Sequence, residues 1–343
     1  MKRVKLSEFK IIPIVSSAKR LDITDAEYFS SKYREYISNS RLSNINPEQN
    51  GSPSKYKNPP KLSTASLVLG SAIHELILQP ESFNLAPKCS KPTAKLGTTI
   101  DRIKVYRQKG FSIYDSIKRA SVDCDYYVNQ IDSKISKIVK DGLKYYLSSK
   151  TFGDETITLS DKDWDTCTKC VDSVLSDNQI VNTLKPKNEF GIDIPSFNED
   201  ALFLDVLVTY QDKYTILSLK MKADNWTIDE ENKVLTLNDL KTTSKPVAWF
   251  MNKEYGSFYH YHYHRQFALY MMMLKYYCMK EYGLTDKWKC YGNVLVVNTS
   301  DQATKLYKIT KQQFEQGRLE YERLLKMVAY YKINGFSPEV DFV

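Results

Sequence analysis

The spacing of apolar residues divides the chain into a helical half and a half that contains strands. In the first half apolar residues recur every three or four positions, as at Leu69, Ile73 and Leu76, and this spacing predicts helices. They are expected before Pro80, within residues 100–147, where Ser112 can cap a helix, and over 161–175. The amino-terminal half should therefore be rich in helices.

The pattern changes near residue 200. The runs FLDVLVTY, YTILSLKMK and KVLTLNDLK are short, rich in β-branched and aromatic residues, and separated by polar turns, so they predict an antiparallel meander over 200–241. A helix over 262–282, strands over 294–297 and 305–309, and a helix over 311–332 should follow. The whole predicts an α/β fold with a mixed sheet.

These patterns suggest a simple domain organisation. Residues 1–66 are predicted to be an irregular segment, because a polar stretch containing Pro and Asn fills much of it. Residues 67–343 are predicted to form one domain, with a helical part over 67–185 and a sheet core over 186–343.

Composition excludes several classes of protein. A hydrophobic fraction of 42% is too high for intrinsic disorder, and no apolar run approaches the ~20 residues that a membrane span requires. Six widely separated cysteines do not resemble a secreted disulfide scaffold. We therefore expect a cytoplasmic protein with reduced thiols and no membrane partner.

Charge is distributed unevenly along the chain. The net charge is +12 over residues 1–150, −10 over 151–232 and +6 over 233–343, for a total of +8. Basic blocks that flank an acidic block suit a protein that binds a polyanion and places metal ions against it. Scattered, solvated lysines would explain the same totals.

Three charged residues interrupt strands that should be apolar. Asp224 is predicted to close one strand, and Asp239 and Lys241 lie two positions apart in the next, on the same face. Two carboxylates and an ammonium on one face are costly to desolvate unless a cation joins the carboxylates. The cluster therefore predicts a site for a hard divalent metal such as Mg²⁺ or Mn²⁺.

These residues resemble the signature of the PD-(D/E)XK nuclease superfamily. The spacing D-x14-D-L-K is similar to its motif, although Ala223 replaces the usual Pro. GSAIH (70–74) resembles the G-x-x-x-H motif of the RecB-like branch, and QFALY (266–270) matches its Q-x-x-x-Y motif. The likeness is greatest to exodeoxyribonuclease VIII (RecE-like) exonucleases, including phage versions, and covers most of residues 38–332.

The resemblance implies a restriction-endonuclease-like mixed sheet core flanked by helices, with a helix-rich amino-terminal elaboration. It implies two Mg²⁺ or Mn²⁺ ions. The implied metal ligands are His74, Asp224, Asp239 and the carbonyl oxygen of Leu240. Lys241 would orient the attacking water, and Gln266 and Tyr270 would position Lys241 and the scissile phosphate.

The implied partner is the end of a DNA duplex. We expect five residues to contact it: Arg41, Lys134, Lys137, His264 and Arg265. By the same resemblance the protein would form a homo-oligomeric ring and act in a bacterial host cell. In phage-type recombination it would leave a 3′ single strand for an annealing protein to bind.

Two other metal sites are less well supported by the sequence. The tract HYHYH contains His260, His262 and His264, but only the first and last would share a face of a helix, and no carboxylate or cysteine nearby completes a zinc site. A surface or DNA-facing role is favoured. Cys167 and Cys170 have the spacing of neighbours on a helix, which explains them without an iron–sulfur cluster.

The leading hypothesis is a Mg²⁺-dependent deoxyribonuclease that degrades linear duplex DNA from an end, 5′ to 3′. The same fold could instead serve an endonuclease or a junction-cleaving enzyme. A third hypothesis is a non-catalytic nucleic-acid-binding protein with a basic, Tyr-rich surface.

Overall fold

A computed structural model describes residues 2–60, 65–81, 92, 94–130, 135–136, 138–140, 142, 145–146, 159–336 and 340–343. The chain divides into two compact units. The first contains Met1–Leu62, Ile77–Gln79 and Cys170–Val343, and the second contains Ser63–Leu76 and Pro80–Lys169.

The first unit is built on a mixed seven-stranded sheet. The strands of the chain are β1 (Lys2–Val4), β2 (Phe9–Pro13), β3 (Lys19–Leu21), β4 (Ser196–Tyr210), β5 (Lys213–Asp229), β6 (Val234–Thr243), β7 (Lys289–Asn298), β8 (Thr304–Lys308) and β9 (Val340–Phe342). The sheet has the order β2-β4-β5-β6-β7-β8, with β3 also paired to β4, whereas β1 and β9 form a separate parallel pair.

Eleven α-helices are described from end to end. They are α1 (Asp25–Tyr28), α2 (Asn39–Ser43), α3 (Pro53–Lys57), α4 (Ala65–Leu78), α5 (Ala94–Gln108), α6 (Ile113–Asp123), α7 (Asp161–Ser176), α8 (Asn178–Leu184), α9 (Ser257–His260), α10 (Tyr263–Glu281) and α11 (Lys311–Asn334).

The predicted meander is confirmed. β4, β5 and β6 pair antiparallel in sequence order, and a two-residue turn joins β4 to β5. The chain then passes through α10 and returns as β7, which pairs parallel to β6, as a connection through a helix allows. The structure confirms the predicted mixed α/β core flanked by helices.

Alternation along β4 explains why both faces of the sheet are buried. Leu202 and Leu204 belong to the large core that also contains residues of α10 and α11. The intervening Phe203 packs instead with Tyr28 and Tyr33 from the amino-terminal segment. Successive strand residues point to opposite faces, so β4 requires a cover on each side.

The prediction of an irregular segment over 1–66 is wrong where β2 and β3 form. Both strands pair antiparallel with β4. β2 lies at the edge of the sheet, where Pro13 at its end can be accommodated. β2 is only five residues long, and its pairing with a strand almost 200 residues later stabilises it.

Described residues of the second unit are mainly helical, as predicted. Ile100 and Ile103 of α5 pack against Ile117 and Ala120 of α6 in a small separate core. The hydroxyl oxygen of Ser112 accepts a hydrogen bond from the backbone N–H of Asp115 at 3.0 Å, which confirms the predicted cap of α6.

Two general features of the described residues concern the class of protein. None of these helices has both the length and the apolar character that crossing a membrane requires. Each of the five cysteines among these residues is a free thiol.

Candidate active site

Three acidic residues occupy matching positions on three neighbouring strands. Glu199 stands opposite Asp224, between two regular pairs of the β4–β5 ladder. The last regular pair of the β5–β6 ladder at this end is Asn225 with Asn238, and the next position places Asp224 opposite Asp239. Because strands in a sheet lie about 4.8 Å apart, residues in register share one face. We call Glu199, Asp224 and Asp239 the carboxylate row.

Glu199 is the member that the sequence analysis missed. Its carboxylate offers an oxygen within 4.8 Å of one from Asp224. Its φ of 53° is left-handed, a conformation that costs a residue with a side chain ~1 kcal/mol or more and that often marks a functional position. Counting back from the two-residue turn after Tyr210 would have placed Glu199 opposite Asp224.

A lysine holds the Glu199 side chain. Lys222 Nζ lies 2.6 Å from Glu199 Oε2 and also forms an ion pair with Asp25. Burial and the neighbouring charge of Asp224 raise the pKa of Glu199 to about 7, although Lys222 opposes this shift. Ionisation of the row is therefore costly without further positive charge.

Asp224 marks the point where β5 and β6 separate. Its Oδ2 accepts a hydrogen bond of 2.8 Å from the backbone N–H of Leu240, so the carboxylate replaces a backbone partner. Burial raises the pKa of Asp224, while Lys241, that hydrogen bond and Lys222 act in the opposite direction.

The prediction that Asp224 closes its strand is wrong. β5 continues to Asp229, and residues 225–229 pair with β6. Trp226 is fully buried and stacks on Phe197 with ring centroids 4.2 Å apart, which holds this part of the strand in the sheet.

Asp239 and Lys241 lie on one face of β6, as the alternation predicts. Lys241 Nζ is 2.5 Å from Asp239 Oδ2 and donates a hydrogen bond of 3.2 Å to the carbonyl oxygen of Leu240. It also lies 5.1 Å from the centre of the Tyr263 ring. Burial disfavours the charged ammonium, but Asp239 and Asp224 outweigh it and raise the pKa of Lys241.

One face of α10 approaches the carboxylate row. Gln266 Nε2 donates a hydrogen bond of 2.7 Å to Asp239 Oδ1. Burial is the main cause that raises the pKa of Tyr270, and Tyr28 and the three carboxylates raise it further. The charge of the carboxylates therefore acts on the Tyr270 hydroxyl. The side chain of Gln266 therefore contacts a carboxylate, whereas the sequence analysis expected it to position Lys241.

A second row of polar residues crosses the same strands one position away. Asn198, Asn225, Asn238 and Asn293 are in register on β4, β5, β6 and β7. Each of the last three donates its amide N–H to the oxygen of the preceding one, at 2.7, 2.7 and 2.8 Å. We call these residues the asparagine ladder. It lies on the face opposite the carboxylate row, because adjacent strand residues point in opposite directions.

The predicted DNA contacts divide into three groups. Arg265 is 0% exposed and donates to Asn39, Gln49, Ser43 and Glu320, so its guanidinium is not available to DNA and the prediction is wrong. His264, 4% exposed, is likewise buried. Arg41 contacts Glu35 and lies over Tyr56, and its DNA contact stays a prediction. Lys134 and Lys137 lie outside the described residues.

His74 lies on α4, which belongs mainly to the second unit. Its predicted role as a metal ligand stays a prediction.

The carboxylate row has the donor chemistry of a site for Mg²⁺ or Mn²⁺. Three carboxylates and the carbonyl oxygen of Leu240 are hard oxygen donors, which both ions prefer. Lys222 and Lys241 contact the row and offset part of the charge of its ionised carboxylates. A divalent cation would supply further positive charge and lower the cost of ionising Glu199 and Asp224.

No protein-family model and no curated protein sequence matches the chain. The fold is similar to a structure from Eubacterium rectale provisionally described as an exonuclease, with 11% identity, a TM-score of 0.45, and coverage of 93% of this chain and 89% of that one. It is also similar, with a TM-score of 0.19 and 10% identity, to Scheffersomyces stipitis Rai1 in complex with (3'-NADP)+ and a calcium ion, with coverage of 98% and 84%. At these TM-scores, function must be argued from the site.

Proposed function

We propose that the protein is a metal-dependent deoxyribonuclease. The observation that carries the proposal is the carboxylate row in contact with two lysines, one of which, Lys241, lies beside Asp239 at 2.5 Å. A half-buried group of oxygen ligands next to a fixed ammonium suits a reaction in which negative charge develops on a phosphate.

Each residue has a role that follows from its contacts. The carboxylates of Glu199, Asp224 and Asp239 would hold the cation, and Gln266 orients Asp239 through its hydrogen bond. Lys241 would stabilise charge on the phosphodiester and orient water for attack. The bound cation would supply Lewis acidity, which neutralises phosphate oxygens and makes water a better nucleophile.

The finer assignment rests on the resemblance in the motifs. We propose that the enzyme degrades linear duplex DNA from an end, 5′ to 3′, with two Mg²⁺ or Mn²⁺ ions, and that His74 is a further ligand. A ring-shaped homo-oligomer, a cytoplasmic location and a single-strand annealing partner in recombination belong to the same proposal.

Incubation with DNA and Mg²⁺ tests the activity. We expect linear duplex DNA to be degraded, covalently closed circles to be spared, and EDTA or Asp239→Ala to abolish degradation. Duplexes labelled at the 5′ or the 3′ end report the polarity, since a 5′-to-3′ enzyme releases the 5′ label first.

Other outcomes would identify other activities. Cleavage of closed circles would show an endonuclease and contradict attack from an end. Tight DNA binding without degradation, or degradation that Asp239→Ala leaves unchanged, would contradict a catalytic role for the carboxylate row.

A further inference from the structure

A second cluster of metal-binding side chains lies away from the carboxylate row. His260 ends α9, and His262 precedes α10 with a left-handed φ of 55°. The tract HYHYH is therefore not one continuous helix, so the helical spacing used in the sequence analysis does not apply. The chain instead brings His262 and His264 together, facing Glu320 on α11.

The three side chains converge closely. His262 Nδ1 lies 2.8 Å from Glu320 Oε1, and His264 Nε2 lies 2.8 Å from Glu320 Oε2. Each residue offers one ligand atom, and these atoms all lie within 4.8 Å of one another. We call these residues the histidine cluster.

The contact of His262 with Glu320 does not have the geometry of a regular hydrogen bond. His262 Nδ1 is buried and has no partner at hydrogen-bond geometry, although Glu320 Oε1 lies 2.8 Å away. An imidazole nitrogen and a carboxylate at this separation could coordinate one cation together.

Other residues fix the Glu320 carboxylate. Arg265 and Asn46 each donate a hydrogen bond of 2.9 Å to Oε1. Second-sphere contacts of this kind orient metal ligands in proteins.

The cluster is accessible to an ion from solvent. A cleft of ≈ 550 Å³ is lined by His262, His264 and Glu320, and also by Glu48. A cation held by three protein ligands could complete a tetrahedral set with water from this cleft.

We propose that His262, His264 and Glu320 bind one Zn²⁺ ion, or a similar transition-metal ion, that joins the start of α10 to α11. Two imidazoles and one carboxylate select such ions, whereas the all-oxygen carboxylate row selects Mg²⁺ or Mn²⁺. Because α10 also carries Gln266, the ion stabilises the helix that orients Asp239.

Zn²⁺ binding to the metal-stripped full-length chain tests the proposal. Calorimetric titration in excess Mg²⁺, which occupies the oxygen-rich site, should show one Zn²⁺ per chain. Co²⁺ in place of Zn²⁺ should give the visible absorption bands of a tetrahedral site. Failure to bind Zn²⁺ under these conditions would overturn the proposal.

Variants locate the ion. Glu320→Gln should weaken Zn²⁺ binding about 100-fold or more and remove the Co²⁺ bands. His260→Gln is the matched control, since this neighbouring histidine is exposed and outside the cluster, and it should bind like the parent. Asp224→Asn should also retain the Zn²⁺ site.

Unchanged affinity in Glu320→Gln would overturn the proposal, as would loss of Zn²⁺ binding in Asp224→Asn. If circular dichroism shows that Glu320→Gln is unfolded, His262→Gln replaces it, because this side chain lies at the cleft and outside the central core. The same two outcomes then apply.

Discussion

The carboxylate row and the asparagine ladder differ by little more than the exchange of an oxygen for an amide nitrogen. They cross the same strands one residue apart, as in Asp224–Asn225 and Asn238–Asp239. Within the ladder Asn225 and Asn238 each donate and accept, while Asn198 accepts and Asn293 donates. Ionised carboxylates only accept, so neighbours in the row repel one another.

This difference separates a structural role from a functional one. The amide ladder finds its partners within the protein, in its own members and in backbone carbonyl oxygens of Leu78, Leu184 and Thr183, and it fixes the register that aligns the acidic residues opposite one another. In the carboxylate row, burial and the charge of Asp224 disfavour ionisation of Glu199 even though Lys222 contacts it. The need for a cation is what identifies the row, and not the ladder, as the site of chemistry.

The largest expected effect comes from replacing a carboxylate of the row with an amide like those of the ladder. Asp224→Asn keeps the size of the side chain but removes a charged ligand, so DNA degradation should fall about 1,000-fold, equivalent to about 4 kcal/mol. Kinetic assays with Mg²⁺ measure the loss. The free energy of unfolding of the metal-free variant should not fall, because a repulsion is removed.

Asp229→Asn is the matched control for that substitution. It makes the same change at the end of the same strand, outside the row, and should leave activity unchanged. Equal loss in both variants would mean that the row has no special role.

The reverse substitution, an aspartate in place of an asparagine of the ladder, should lower the stability of the fold. Asn225→Asp places a charge at a fully buried position of the ladder and removes a donor to Asn198, so the free energy of unfolding should fall by about 3 kcal/mol or more. Denaturant unfolding measures this, and acidification should recover part of the loss by protonating the new carboxyl. Asn182→Asp, at an exposed position of α8, is the control and should have little effect.

Glu199 should link stability to pH when the metal is removed. Its folded-state pKa of about 7 lies above the ordinary 4.5, so the folded protein binds more protons between these values. In EDTA, stability should therefore fall as pH rises from 4.5 to 7, by at most about 3 kcal/mol. Glu199→Gln should flatten this dependence. An equal slope in both proteins would contradict the shifted carboxyl.

The smallest effect is expected at the hydrogen bond from α10. Gln266→Leu removes the donor that orients Asp239, and activity should fall about tenfold, or about 1.4 kcal/mol. Lys275→Gln, exposed on the same helix, should have no effect on the rate. A full loss of activity would instead give Gln266 a direct role in the reaction.

Much of the sheet could be predicted because its signals are local. Alternation within β4, β5 and β6 and the short turn after Tyr210 specify a meander within about 45 residues. The end of β5 was misread because Asp224 looks like a residue that ends a strand. The stacking of Trp226 on Phe197, almost 30 residues away, keeps the strand in the sheet.

Residues of the candidate site were predictable to the extent that they lie in motifs. Asp239 and Lys241 share a strand, and their contact follows from two-residue periodicity. Arg265 was predicted to contact DNA, but its side chain is buried. Its burial depends on acceptors from α2 and α11, which are far away in sequence.

The sequence by itself determined the helical and strand-rich halves and the residues Asp224, Asp239 and Lys241, since these depend on periodicity and short spacing. A count back from the turn after Tyr210 reaches Glu199, but only the structure showed that it joins the carboxylate row. The tertiary structure alone decided that Glu320 meets His262 and His264. Helix packing brings these side chains together across almost 60 residues, and no local pattern of hydrophobic and polar positions encodes such a contact.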